Sequence, residues 1–163
     1  MLKIEGRGRS PEYVKTVTCC YREAVDAYLD GTFSKEKVEK WNNDLKSVYN
    51  RGFWDGYYLG RKLGEWSEQY GSQASKKKIY VGKVTNFYSK INVAEVMVEA
   101  TPLEKGDEIY IIGPTTGVHE GRVDEIRLDD NSTDIARQGD VCSIPLSGLV
   151  RRSDKLYKVV ENS

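Results

Sequence analysis

The side chains able to do chemistry are few and scattered. Glu5, Arg7 and Arg9 cluster where a short apolar start gives way to a proline-initiated helix. At a strand end of an α/β barrel, such a carboxylate beside guanidinium groups would sit where reactions are carried out. Within this chain alone the trio reads as a charged loop. His119 follows a turn and stands among polar residues, with no serine or cysteine nucleophile paired to it. A solvated surface imidazole is therefore expected rather than a general base. Cys19 and Cys20 occupy successive positions of a helical run and must point in different directions, one packing and the other grazing the surface. Together with Cys142 they match neither a disulfide framework nor a zinc or iron–sulfur spacing. Asp129-Asp130-Asn131 lacks the further ligands and closing glutamate of a calcium loop, and reads as a solvated turn. There is no G-x-S-x-G elbow, H-E-x-x-H pair, phosphate loop or dinucleotide fingerprint. The expectation is a chain with no metal site, no cofactor of its own and no self-sufficient catalytic set.

Binding chemistry has three candidates. Lys76, Lys77 and Lys78 precede one β-rich run, and Arg151 and Arg152 precede another; converging, they would make a patch for a phosphate backbone. The plainer reading is a solvated linker and a turn, because acids are scattered nearby. The third is Tyr49 to Gly60, YNRGFWDGYYLG, in which aromatics interleave with glycines. Arg51, Phe53 and Tyr57 are its interaction candidates, since so many rings in a turn-rich segment either pack under a neighbouring domain or line a binding surface.

The elements that must position these groups fall into two halves. Met1 to Gly8 reads as a very short strand. Ser10-Pro11-Glu12 then opens a helix with a hydroxyl cap, a proline in the first turn and an acid near the positive dipole end. Val14, Val17, Tyr21, Ala24, Val25, Tyr28 and Leu29 recur at helical spacing, and Gly31 ends the run. Ser34 caps a second helix with the stripe Val38, Trp41, Leu45 and Val48. Gly71 to Ser75 carries no periodicity and reads as a linker. From Ile79 onward the period changes to two. Ala94, Val96, Val98 and Ala100 share one face and Glu95, Met97 and Glu99 the other, as on a half-buried strand. Ile109 and Ile111 repeat the pattern, and Gly113-Pro114-Thr115-Thr116-Gly117 should close a hairpin onto a polar strand from about Val118 to Leu128. Cys142, Ile144 and Leu146 alternate again, and Leu156 to Val160 supply a closing strand. This predicts an α+β architecture: a helical segment over residues 1–75, then a small, closed, six- or seven-stranded β-barrel over 76–163.

Composition sets outer bounds. The 163 residues are 39% hydrophobic and 31% charged, with 25 basic and 25 acidic side chains, so no overall field draws the chain to nucleic acid or membrane. No run approaches a membrane span, and the polar N-terminus lacks the apolar core of a signal peptide, so a cytoplasmic location is the default.

Several unusual strings now agree. Lys3-Ile4-Glu5-Gly6-Arg7, Ser10-Pro11-Glu12-Tyr13-Val14, Tyr21-Arg22, Asn50-Arg51-Gly52-Phe53 with Gly56-Tyr57, and Ile112-Gly113-Pro114-Thr115-Thr116-Gly117 occur together and in order in a sequence that resembles the C-terminal part of the collagenase-like peptidase family U-32. Trp54-Asp55 departs from the small hydroxyl residues more usual there. The resemblance implies a large N-terminal α/β barrel followed by a β-barrel similar to domain 2 of elongation factor Tu. It also implies relatives that act in hydroxylation of transfer RNA or ribosomal RNA and in ubiquinone biosynthesis, beside the peptidase name. Several such relatives hold an iron–sulfur cluster through cysteines of a signature expected upstream of Met1. On this resemblance residues 1–75 are the remnant of the end of the large barrel plus a linker, and Glu5 and Arg7 are the matched positions nearest the family's reaction site. The function implied is a non-catalytic accessory unit that positions RNA or another substrate for a large-barrel domain or subunit. The alternatives are a component of a collagenase-like peptidase and a pure protein-interaction module. Exposed apolar stripes would favour self-association or docking.

Overall fold

A computed structural model of the chain describes residues 2–50, 53, 73–129 and 131–162. Its chain path divides into two compact units, Met1–Lys76 with Asn162–Ser163, and Lys77–Glu161.

In the first unit, helix α1 spans Pro11–Leu29 and α2 spans Lys35–Ser47. Pro11 sits in the opening turn of α1, where its missing N–H has no helical partner to lose. The helix stops in a Schellman arrangement: Thr32 N–H donates to Ala27 O at 2.8 Å and Gly31 N–H to Tyr28 O at 3.3 Å. Gly31 makes this closure at φ 68°, a conformation that a Cβ would strain. The Ser34 hydroxyl accepts from Lys37 N–H at 3.3 Å and so caps α2. The helices meet through buried Cys20, Ala27 and Trp41, with Ala24, Val38 and Leu45 packed around them. The Trp41 indole N–H donates to the Glu23 carboxylate at 2.9 Å. That bond is the main reason Glu23 titrates below the usual carboxylate range. Gln73 N–H donates to Asn50 O at 2.8 Å and Ser75 N–H to Lys46 O at 3.0 Å, so this stretch is tied to the end of α2. The strand expected at the N-terminus does not form: residues 2–6 carry no strand pairing, and Arg9 N–H closes a turn onto Gly6 O at 3.0 Å. An apolar run gives a strand only where a neighbour satisfies its backbone groups.

The second unit is built of strands. They are β1 Lys76–Tyr88, β2 Val93–Val98, β3 Leu103–Glu104, β4 Glu108–Gly113, β5 Gly117–Arg122, β6 Ile126–Leu128, β7 Asn131–Thr133, β8 Ile135–Ala136, β9 Val141–Pro145 and β10 Lys155–Glu161. Eight form one sheet in the order β5-β4-β10-β1-β2-β9-β6-β7, and β3 pairs with β8. The architecture is α+β, two helices followed by an antiparallel, barrel-like sheet. Its hydrogen bonding is not closed, because among the described residues β5 and β7 remain edges. The strand count exceeds the expected six or seven because β3, β7 and β8 are two or three residues long, too short to show a period. Likewise the polar strand expected over Val118 to Leu128 is two strands, separated where Val123 turns into the core. The alternation on β2 is as expected for Ala94, Val96 and Val98, which are buried with Val81, Val84, Ile109, Ile111, Ile144 and Leu156, whereas Ala100 lies past the end of the strand and is exposed. The hairpin β4–β5 turns across Gly113–Gly117, with Ile111 opposite His119.

Candidate functional site

In the first unit the N-terminal residues run beside α1. Glu5 is exposed, and its carboxylate accepts the Arg7 backbone N–H at 2.9 Å. Arg7 is exposed as well. Glu5 lines a cavity of about 220 Å³ with Leu2, Ile4, Tyr13 and Tyr21. A second cavity, about 310 Å³, is lined by Arg9, Tyr13, Tyr21, Leu45, Tyr49 and Phe53. There the Arg9 guanidinium lies 4.0 Å from the Tyr49 ring centroid and 5.7 Å from that of Tyr13, a cation held over aromatic faces. Phe53 is 56% exposed. Arg51 and Tyr57 lie outside the described residues, as do Trp54 and Asp55.

The two basic segments do not converge. Lys76, Lys77 and Lys78 open β1, and the Lys78 ammonium stands 5.0 Å from the Tyr157 ring centroid. Arg151 and Arg152 sit in the turn before β10. That turn is fixed at the other end of β1, since Val84 N–H donates to Asp154 O at 2.9 Å and Ser153 N–H to Val84 O at 2.8 Å. Seven residues of strand between Lys77 and Val84 span roughly 23 Å at the usual rise. The antiparallel course of β10 beside β1 thus carries the two patches apart.

Arg151 is exposed, its guanidinium donating to the Thr116 hydroxyl at 3.4 Å. Its backbone N–H donates to the Asp154 carboxylate at 2.8 Å, and the Thr116 hydroxyl donates to the same oxygen at 2.5 Å. Asp154 is only 3% exposed. A Cβ at Gly113 would stand 1.7 Å from its other oxygen. The Gly113-Pro114-Thr115-Thr116-Gly117 string is therefore the cradle of a buried carboxylate, a pairing 38 residues apart that a local reading of the turn does not show. His119 is half-buried instead of solvated, its Nδ1 set 2.9 Å from where a Cβ on Gly148 would stand. The loop after β9 packs against it.

Sequence reasoning missed the aromatic row on the outer face of the sheet. Tyr110 on β4 pairs in register with Tyr157 on β10, and Tyr157 meets Tyr80 on β1 edge-on, centroids 5.5 Å apart. Each has a core residue beside it in sequence: Tyr110 lies between Ile109 and Ile111, Tyr157 follows Leu156 and Tyr80 precedes Val81. The signal was therefore present as tyrosine at successive outward positions. The Tyr80 hydroxyl donates to Glu99 at 2.5 Å, and Lys83 pairs with Glu99 at 2.6 Å. Burial, and then the Glu99 carboxylate, push the Tyr80 hydroxyl up to about 12.

The cysteines are not arranged for chemistry. Cys19 is exposed, Cys20 packs between the helices, and Cys142 lies in the core of the other unit. Burial, with Asp140 nearby, pushes the Cys142 thiol up to about 11; burial also raises Cys20, helped by Asp44 and Glu23. Thiols so shifted are poor nucleophiles and poor ligands. Among the described residues no three His, Cys, Asp or Glu side chains converge for a metal ion. These thiols do not fit an iron–sulfur cluster.

Comparison with known proteins finds similarity to one family. Residues 1–68 match the model of Peptidase family U32. Over 97% of its length the chain is 52% identical to a protein named Collagenase from Porphyromonas gingivalis, covering 38% of that protein. It is 38% identical to an uncharacterised protease of Methanocaldococcus jannaschii over 98% of the chain and 39% of that protein. It is also 30% identical to tRNA hydroxylation protein P1 of Bacillus subtilis over 83% of the chain and 32% of that protein. Among solved structures, the C-terminal domain of a Geobacillus thermoleovorans protein assigned to the U32 peptidases aligns with 48% of the chain and 90% of that domain, at 20% identity and a TM-score of 0.46. The chain spans well under half the length of the curated relatives it matches. Residues 1–68 are thus similar to peptidase family U32, and the similarity to these relatives runs through both units of the chain.

Proposed function

We propose that the chain is an accessory unit of a U32 protein, non-catalytic by itself, that positions an RNA substrate for a large α/β barrel supplied as another domain or subunit. The observation that carries this reading is the start of β1. There Lys76, Lys77 and Lys78 stand on one strand, with Lys78 over the ring of Tyr157, so that ammonium groups for phosphates adjoin aromatic surface for bases. The names of relatives support it, since two that are named tRNA hydroxylation proteins share 30% and 29% identity with the chain. Such a role belongs in the cytoplasm. Among the described residues no helix is long and apolar enough to cross a membrane. In this reading Glu5 and Arg7 border the large barrel's reaction site, and any iron–sulfur cluster is held by that barrel.

Titrating transfer RNA across a range of salt tests the proposal. Wild type is expected to bind at low salt. Reversing the charges of Lys76, Lys77 and Lys78 to glutamate should weaken binding uniformly and lower the slope of log affinity against log salt by about 2, near 0.7 for each phosphate no longer neutralised. RNA mobility left unchanged by wild type and variant alike ends the RNA reading.

A second reading rests on the higher identity, 52%, to the relative named Collagenase. The unit would then serve a peptidase, presenting protein substrates to the same missing barrel. Incubating the pure chain with gelatin, with and without divalent metal, separates the cases. Cleavage by this chain alone overturns its accessory role. Binding to a large-barrel subunit, but to neither RNA nor gelatin, would make it an interaction module docking through exposed apolar side chains such as Tyr21 and Tyr28.

A further inference from the structure

The outer face of β4, β10 and β1 carries three tyrosines in a row that crosses the strands. Tyr110 and Tyr157 are opposite one another, and Tyr157 and Tyr80 are in ring contact. All three are half-buried, with their inner neighbours in the core. The hydroxyl of Tyr80 is held by Glu99, so that ring is preset and loses little freedom on meeting a partner.

The charge around the row differs from end to end. Along β1 and β10, Lys76, Lys77 and Lys78 open one strand where Glu161 closes the other, and Glu108 lies opposite Val159. Lys83 pairs with Glu99, Lys158 with Asp107, and Lys155 of β10 is offset by Glu120 opposite Tyr110, so three ammonium groups against two carboxylates leave a net of about one positive charge, too small a field to hold a nucleic acid through phosphate contacts alone. An RNA bound here needs a second, uncharged source of affinity, and the rings beside the lysines are of the kind that supplies it: aromatic faces stack with any exposed base. Bases paired in a duplex are already stacked and cannot use them.

We infer that the Tyr110–Tyr157–Tyr80 row is a stacking surface for unpaired nucleotides of an RNA, with the adjoining phosphates held at the Lys76–Lys78 end. The inference rests on the RNA-positioning reading and deepens it, naming single-stranded segments as what this face grips.

The test compares a short oligouridine with a blunt RNA duplex of equal phosphate number, using the full chain. Wild type is expected to favour the single strand. Tyr110→Leu with Tyr157→Leu should lower oligouridine affinity about tenfold, leave duplex binding and the salt slope unchanged, and bring the two affinities together. Tyr157→Phe keeps the ring and should retain the preference, which separates stacking from damage to the fold. If the leucine variant, folded by circular dichroism, keeps the wild-type preference, the stacking surface is overturned while the RNA reading stands. If wild type binds neither RNA, both fall. Failure of the leucine variant to hold a protein partner, with its RNA binding intact, would make the face a protein-docking surface and overturn the inference.

Discussion

Two side chains of the second unit make its stability depend on alkaline pH. The Tyr80 hydroxyl, ordinarily near 10, is pushed to about 12, and the Cys142 thiol, ordinarily near 9, to about 11. Both are neutral acids whose folded pKa exceeds the unfolded value, so the folded state holds the proton more tightly. Their contribution is complete below the unfolded values and lost as pH rises, over about 9 to 11 for Cys142 and 10 to 12 for Tyr80. Urea midpoints should fall steadily across those windows. Cys142→Ala should remove the part that begins near 9, even as it leaves a small cavity. A midpoint flat from neutrality to the upper end of the Tyr80 window would show that neither group is held as described. At this scale the sequence was only partly legible. The division between an exposed Cys19 and a packed Cys20 follows from helical geometry. The half-buried state of His119 depends on a loop well downstream of it, at Gly148, and no local pattern announces such a neighbour.

At the scale of elements, the carboxylate of Asp154 joins the β4–β5 turn to the turn before β10. Asp154→Ala leaves the Thr116 hydroxyl and the Arg151 N–H without their acceptor, and should cost about 3 kcal/mol of stability. Gly113→Ala should cost a similar amount for a steric reason, as its Cβ would enter the space of the same carboxylate. The two losses should not add. Removing the carboxylate makes room for the Cβ, so a double-mutant cycle read by denaturant unfolding is expected to return a coupling of about 1 kcal/mol or more. Simple additivity would mean that the turns are not joined through Asp154. The helices and the long strands were legible because each carries several turns of its own period and its own end signals, Pro11 and Gly31 for α1, Ser34 for α2. The short strands β3, β7 and β8 were not, and the open edges followed with them. Residues 2–6 failed in the opposite sense, an apolar run with no strand beside it.

For the whole molecule, the two units differ most in what they bury. Residues 77–161 hold a continuous apolar core from Val81 to Leu156 that draws on β1, β2, β4, β6 and β9 as well as β10. Among the described residues of the first unit, the cluster between helices centres on Cys20, Ala27 and Trp41, while Leu2, Tyr21, Tyr28 and Leu29 stay between 44% and 76% exposed. Apolar burial is the main term opposing chain entropy, and the described residues of the first unit supply less of it than the sheet does, Val17 and Val48 being the other buried side chains there. Produced separately, residues 77–161 should unfold in one cooperative urea transition. Residues 1–76 should show a broad, shallow one and gain cooperativity only with a larger U32 body bound to it. Such an asymmetry would fit the accessory role proposed above, in which the sheet grips substrate and the helices steady on a partner. A sharp transition for isolated 1–76, at the midpoint it has in the full chain, would mean that the helical unit needs no partner and would remove the physical reason for assigning it one.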